Sequence, residues 1–320
     1  MQTLYIVVPC YNEEPVLRET AGRLKSKMTA LMASGKIGKA SRVLFVDDGS
    51  KDATWRIIEE LHQGDPLFSG VKLSRNQGHQ NALRAGLMTA MVRCDVSISM
   101  DADLQDDIDA VDEMLEKYLQ GYDVVYGVRS ERATDTRFKR VTAERFYRFM
   151  QLMGVSIVFN HADYRLMSQR ALTALSEYKE VNLFLRGMVP LVGYKSATVS
   201  YKRGERFAGE SKYPLKKMLA FALDGITSFS IKPIRVITVL GVAIFLISIL
   251  MILIFILQKL TGKTDSGWAS IICSIWAIGG IQLFSLGIIG EYVGKIYGEV
   301  KHRPHYILEA VLESLPEEDV

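Results

Sequence analysis

Two long runs without charge constrain this chain most. Between Arg235 and Lys259 lie 23 uncharged residues, and between Asp265 and Glu291 lie 25 more. A helix needs about 20 apolar residues to cross the hydrocarbon of a bilayer, and Val236 to Leu257 is apolar all round, with no polar stripe to turn toward water. Both runs read as membrane-spanning helices rather than as core helices of a soluble protein. Their flanks set an orientation. Lys212, Lys216, Lys217, Lys232, Arg235, Lys295, Lys301 and Arg303 lie on the side of the chain termini, against Lys259 and Lys263 in the connecting loop. The positive-inside rule then places both termini in the cytoplasm. Met1 to Cys10 has an apolar run but no basic start and no small-residue cleavage site, so it does not read as a signal peptide.

The rest of the chain has room for one further domain. A net charge of +3, with basic residues interspersed among acids, argues against nucleic acid as a partner. Cys10, Cys94 and Cys273 show no metal-binding spacing, and a cytoplasmic domain keeps such thiols reduced.

The first 130 residues alternate strand and helix. Leu4 to Val8, Arg42 to Asp47, Val71 to Ser74, Val96 to Met100 and Asp123 to Val128 are short apolar or β-branched runs, separated by helical patterns such as Trp55-Ile57-Ile58-Leu61. Near-continuous apolar strands imply a mostly parallel sheet covered on both faces, and such sheets bind ligands beyond the carboxyl ends of their strands. Polar clusters follow the first four strands: Pro9 to Glu13, Asp47 to Ser50, Arg75 to His79, and Asp101 to Asp106. Each alone is an ordinary turn, but four at one sheet edge point to a nucleotide site. Asp101-Ala102-Asp103-Leu104-Gln105-Asp106 is the sharpest of them. Hard divalent cations take oxygen ligands, often one or two carboxylates plus substrate phosphates. Asp52 reads as an N-cap for the helix through Trp55, and Asp48 as a turn former.

The set Val8-Pro9-x-Tyr11-Asn12-Glu13, Val46-Asp47-Asp48-Gly49-Ser50-x-Asp52, Asn76-x-Gly78, Asp101 to Asp106 and Asp163-Tyr164-Arg165-Leu166-Met167 resembles the inverting family 2 glycosyltransferases of the GT-A fold. Within them it is most similar to the polyprenyl-phosphate glycosyltransferases related to dolichol-phosphate mannose synthase and the bactoprenol glucosyltransferases. The resemblance runs from about residue 3 to the end. It implies an α/β, Rossmann-like, mostly parallel GT-A domain over residues 1–212, an amphipathic juxtamembrane helix over 213–232, two membrane helices over 233–292 and a cytoplasmic tail over 293–320. The expected protein sits in the bacterial cytoplasmic membrane.

The resemblance also implies roles. Asp47 and Glu13, with the Pro9-Cys10-Tyr11 turn, would hold the donor base and ribose. Asp101 and Ala102 would lie near the sugar or ribose, and Asp103 and Gln105 would bind Mg²⁺ or Mn²⁺. Asp163 would sit near the anomeric centre and Arg165 near a phosphate, with Arg129 and Arg132 as further phosphate clamps. Ser211 and Lys212, in a Gly-x-Ser-x-Tyr pattern, are acceptor-phosphate candidates. Leu215, Met218, Leu219, Ala222, Ile226 and Phe229 share one face of the helix that follows, as an interfacial helix requires.

The implied reaction is inverting transfer of a hexose from a nucleotide sugar to undecaprenyl phosphate. UDP-glucose is the default donor by analogy, with UDP-N-acetylglucosamine, UDP-galactose and GDP-mannose as alternatives. A processive polysaccharide synthase is disfavoured because the chain lacks Gln-x-x-Arg-Trp, its tryptophans being Trp55, Trp268 and Trp276. A non-catalytic membrane scaffold is the alternative from another class. Gly279, Gly280, Gly287 and Gly290 form a small-residue face suited to packing within the chain or in a homo-oligomer.

Overall fold

The computed structural model describes residues 1–129, 161–180, 185–202, 204, 227, 230–260 and 267–313. The chain divides into two compact units, one of residues 1–147, 156–213 and 303–320, the other of 148–155 and 214–302.

The first unit is built on β1 (Leu4–Cys10), β2 (Arg42–Asp47), β3 (Phe68–Leu73), β4 (Val96–Ser99), β5 (Val124–Arg129), β6 (His161–Ser168), β7 (Ser196–Tyr201) and β8 (Leu308–Leu312). They form one sheet in the order β7-β5-β6-β4-β1-β2-β3-β8. Every residue of β1 is buried, as expected of a central strand covered on both faces. Helix α1 (Leu17–Ala33) lays Leu17, Ala21, Leu24, Met28 and Leu31 into the core at spacings of three and four. Helices α2 (Thr54–Gly64), α3 (His79–Met91) and α4 (Ala110–Leu119) complete the strand-helix alternation, and α5 (Gln169–Ser176) and α6 (Leu185–Leu191) follow β6. α3 can lie close to the sheet because of Gly86, where an added Cβ would come within 2.4 Å of Val7 Cγ1 and 2.6 Å of Val46 Cγ2.

Strand directions put the interesting residues on one edge. β4, β1, β2 and β3 are mutually parallel, so their carboxyl ends point the same way. β6 runs antiparallel to β4 and to β5, so its beginning lies beside their ends. β7 is parallel to β5 and ends on that edge too. The chain proceeds from β1 outward to β3 and then crosses to β4 on the other side of β1. The carboxyl ends of β1 and β4 therefore flank the point where strand order reverses, the place where such sheets open a ligand crevice.

The sequence expectation of strand-helix alternation holds for residues 1–129, with strand limits displaced by a few residues. The sheet is mixed rather than all-parallel, because β6 and β8 run against their neighbours.

The expected tail, 293–320, is corrected. The second long helix continues to Val300, and residues 308–312 return to the sheet as its edge strand beside β3, with Leu312 opposite Gly70 and Val311 opposite Val71. Lys72 bonds Glu309 at 2.8 Å and Arg93 bonds Glu313 at 2.5 Å, which fixes the register. Alternation in Leu308-Glu309-Ala310-Val311-Leu312 is too short and too near the terminus to stand out. Deleting residues 303–320 should expose the β3 edge and lower the thermal midpoint. At a net ~0.5–1.5 kcal/mol per ladder hydrogen bond, the expected loss is roughly 2–4 kcal/mol. An unchanged melting curve would show that the strand contributes nothing.

The second unit contains α7 (Lys232–Leu260) and α8 (Trp268–Val300), of 29 and 33 residues. Both are long and apolar enough to cross a bilayer, by length and composition. Tyr292 donates from its hydroxyl to the Ser230 carbonyl at 2.5 Å. Among the described residues, nothing lies within 4 Å of a Cβ built on Gly279, Gly280, Gly287 or Gly290, so the hairpin itself does not use that face for close packing. The amphipathic helix expected over 213–232 lies largely outside the described residues, as do Arg132, Ser211 and Lys212.

Candidate active site

The loops after β1, β2 and β3 are bonded to one another before any ligand arrives. Asn12, at φ 54°, donates its N–H to Ser50 Oγ and accepts from the Lys51 N–H, both at 2.9 Å. The Glu13 N–H donates to Thr54 Oγ1 at 2.9 Å. Asp48 accepts from the Gln77 and Gly78 N–H groups at 2.7 and 2.9 Å. It is therefore more than the turn former expected: buried, it ties the second loop to the third. Between them Gly49 has φ +66°, and an added Cβ would lie 2.6 Å from the Arg75 carbonyl carbon, so only glycine fits. Asp52 precedes the N-cap, which is Ala53. From there it accepts from the Thr54 N–H at 3.0 Å and the Glu14 N–H at 3.2 Å, doing a capping residue's work from one position earlier.

Asp47 is fully buried at the end of β2. Its Oδ1 accepts from the Ser50 N–H at 3.2 Å, while Oδ2 is buried with no hydrogen-bond partner among the described residues. Burial raises its pKa. A carboxylate oxygen so placed is costly unless a donor completes it, and a nucleobase N–H is such a donor. Tyr11 is exposed beside it, while Pro9 lies within β1.

The turn after β4 presents its acids unequally. Ala102 is buried, and its carbonyl accepts from Thr20 Oγ1 at 2.8 Å, which pins the turn to α1. Asp103 accepts from the Gln105 N–H at 3.1 Å around Leu104, whose φ is 58°. Asp106 is buried. It accepts from the Tyr201 hydroxyl at 2.5 Å, faces Arg129 at 4.0 Å and keeps Oδ2 unpartnered. Arg129, half-buried, also donates to the Tyr201 oxygen at 3.4 Å. A cavity of about 610 Å³, lined by Arg23, Lys27, Gln105, Asp106 and Lys202 among others, opens beside this turn. Among the described residues no three of His, Cys, Asp and Glu converge as a ready-made metal cage.

The beginning of β6 supplies the third part. Asp163 is buried and lies between two arginines and a histidine. Arg165 donates to it at 2.6 Å, Arg186 from Nε and Nη2 at 3.2 and 3.0 Å, and His79 Nε2 lies 3.5 Å away. Burial works against its charge, but His79, Arg186 and Arg165 hold its pKa well below the usual carboxylate range. Ser99 Oγ donates to the Asp163 carbonyl at 2.5 Å, tying β6 to the end of β4. Asp101 lies 3.7 Å from His79 Nε2. Loss of hydration, reinforced by Asp106, Asp163 and Asp103, outweighs His79 and pushes Asp101 up to about 6.

Arg165 is the largest departure from expectation. It is 1 % exposed, bonded to Asp163 and to the Leu185 carbonyl at 3.4 Å, and its Nε is unpartnered. An arginine placed so supports Asp163 from behind and offers no open fork to a phosphate. The accessible guanidinium is that of Arg186, on α6 (Leu185–Leu191), whose side chain is 34 % exposed. Sequence reasoning missed Arg186. The available signal was a lone cation inside the apolar run Leu185-Arg186-Gly187-Met188-Val189. His79 and Asp106 stand in the polar clusters of the sequence, where nothing local marks a role for either. Asp101, Asp103, Arg129, Asp163 and Asp47 do stand on the predicted edge.

The family model described as Glycosyl transferase family 2 matches residues 5–175, more than half of the chain. The chain belongs to glycosyltransferase family 2. A second model, the GtrB C-terminal hairpin, matches residues 232–296 of this family 2 glycosyltransferase. It is 53 % identical to the uncharacterized glycosyltransferase YkoT of Bacillus subtilis, over 96 % of this chain and 91 % of that one. It is 40 % identical to the bactoprenol glucosyl transferase of Shigella phage SfV, over 95 % of this chain and 97 % of that one. Among solved structures, glucosyl-3-phosphoglycerate synthase of Mycobacterium tuberculosis is similar at 16 % identity and a TM-score of 0.47, covering 71 % of this chain and 78 % of that one. The mostly parallel α/β sheet of the first unit, with two apolar helices after it in the chain, is the arrangement expected of a GT-A glycosyltransferase.

Proposed function

We propose that this glycosyltransferase transfers a hexose, UDP-glucose being the donor, to undecaprenyl phosphate with inversion at the anomeric carbon. The observation that carries the reading is the 40 % identity to bactoprenol glucosyl transferases, which extends over 95 % of the chain and so includes the hairpin as well as the sheet. Asp47 would accept from the base N–H, and Glu13, Tyr11 and Asp101 would line the ribose and sugar. The acidic turn offers only oxygen donors, which suits Mg²⁺ or Mn²⁺ held by Asp103 and Gln105 together with the donor diphosphate. When bound, the ion would stabilise the departing nucleotide as a Lewis acid.

A phosphate monoester has a second pKa near ~6, so the acceptor arrives already anionic and needs orientation more than deprotonation. Asp163 suits that demand. Bonded to two arginines and held far below the usual range, it is a poor base and a rigid one. Its contribution is to hold Arg186 and His79 in place, with Arg186 and Arg129 compensating phosphate charge.

The membrane part of the proposal rests on the two apolar helices and on connectivity. The chain leaves the sheet unit before residue 214 and re-enters it with β8, so a hairpin that crosses the bilayer must cross it twice. Basic residues concentrate on the side of the termini, which supports a reading with both in the cytoplasm.

Incubating the full chain with radiolabelled nucleotide sugars and extracted undecaprenyl phosphate tests the reading. A lipid-linked product from UDP-glucose supports it, another preferred donor revises the sugar, and no transfer from any donor returns the scaffold alternative. In the same assay Asp47→Ala should raise the donor concentration needed for half-maximal rate by about 10- to 100-fold, the worth of a hydrogen bond to a charged group. The acceptor dependence should not change. An unaltered donor requirement would remove Asp47 from the base site.

A further inference from the structure

Among the described residues, His79 reaches both sides of the cleft edge. It is the first residue of α3, and its Nε2 lies 3.7 Å from Asp101 Oδ1 and 3.5 Å from Asp163 Oδ2. These carboxylates come from different strands. Asp101 follows β4, on the proposed donor side, whereas Asp163 opens β6, in the cluster with Arg186. Its side chain is nonetheless 44 % exposed, so it can meet a ligand's field as well as its two neighbours.

We propose that His79 is a positioning residue that bridges Asp101 and Asp163 as an imidazolium and so admits an anionic phosphate to the reaction centre. Asp163 is already paired with Arg165 and Arg186, so Asp101 is the carboxylate at this edge left to repel a phosphate nucleophile. A cation placed between Asp101 and Asp163 cancels that charge and holds the two side chains at a fixed separation, an attraction that grows as water is excluded from around the pair. The groups facing His79 are Asp101, Asp163, Arg186 and, from the second loop, Asp48. Burial disfavours the imidazolium, but Asp163 and Asp101 outweigh burial and Arg186 and raise its pKa above the ordinary value. Its charge is therefore present at low pH and lost as pH rises through that raised value.

This inference rests on the proposed acceptor being a polyprenyl phosphate, and the test separates the two. Full-length wild type, His79→Gln and His79→Lys are compared in lipid nanodiscs for transfer from UDP-glucose to undecaprenyl phosphate between pH 6 and 9, with UDP affinity measured calorimetrically. His79→Gln should raise the half-saturating undecaprenyl phosphate concentration about tenfold at pH 6.5 while leaving UDP affinity within twofold. His79→Lys should recover most of that loss. It should also flatten the rise in acceptor requirement that the wild type shows toward alkaline pH. A merely structural histidine would lower UDP affinity and acceptor affinity together and would not be rescued by lysine, an outcome that overturns the proposal. Unchanged kinetics in His79→Gln overturn it as well. A wild type that transfers to no polyprenyl phosphate overturns the functional reading and this inference with it.

Discussion

Replacing Asp103 by alanine should reduce transfer by about 10²- to 10³-fold, or ~2.7–4 kcal/mol in transition-state stabilisation, while leaving the fold intact. The two halves of that expectation have separate grounds. Asp103 accepts from the Gln105 N–H across the turn, yet the turn is independently anchored by the bond from Thr20 to the Ala102 carbonyl and by that from Tyr201 to Asp106. Loss of one carboxylate would therefore remove the oxygen proposed to bind the metal without releasing the loop. Asp103→Asn, which keeps the oxygen that closes the turn but lowers its charge, should fall between wild type and Asp103→Ala. The measurement is the initial rate of lipid-linked sugar formation across a Mn²⁺ titration, with a melting curve for each variant. Full wild-type activity in excess EDTA would sink the metal assignment, whatever the variants do.

The parallel part of the fold was legible because each strand from β1 to β5 is a compact apolar run closed by polar turn residues. Helix α1 likewise spaces its buried residues at three and four. What the sequence concealed were the antiparallel additions. β6 reads His161-Ala162-Asp163-Tyr164-Arg165-Leu166, and its charged residues look like a surface loop until their partners are known. The run is a strand because Tyr164 is buried, bonding the Asp107 carbonyl at 2.9 Å and stacking edge-on against Tyr201, while Arg165 is neutralised by Asp163. Neither compensation is local. β8 was hidden for a related reason: it pairs with a strand more than 230 positions earlier, and no periodicity records such a partner.

The site divides along the same line. Residues adjacent in sequence to a strand end were found, because a carboxylate after an apolar run is a local signal. Residues whose roles come from a long-range partner were not. Arg186 acquires its place from Asp163, 23 positions away, and Tyr201 from Asp106, 95 positions away. Arg165 was singled out as a cation, but composition does not report which way a cation points, and the structure buries it against Asp163.

That orientation makes the second large prediction. Arg165→Ala should act chiefly on stability, costing about 3–5 kcal/mol, because it leaves Asp163 buried with one of its two arginines gone. Arg186→Ala should act chiefly on the reaction. The Asp163 carboxylate keeps Arg165, but the half-buried guanidinium proposed to meet phosphate is removed, so the acceptor requirement should rise about tenfold or more with little change in melting temperature. Arg186→Lys should recover only part, since an ammonium lacks the planar fork that reaches both carboxylate oxygens. Acid should separate the pair from the rest of the fold. Asp163 has a depressed folded pKa, so the stability it supplies is complete above its unfolded value and is lost only as pH falls through the folded one, well below the usual carboxylate range. In Arg165→Ala that loss should begin at higher pH. Melting curves taken from pH 7 down to pH 3 decide between these assignments. If Arg165→Ala melts like the wild type and instead raises the acceptor requirement, the buried-support role fails and Arg165 returns to the phosphate.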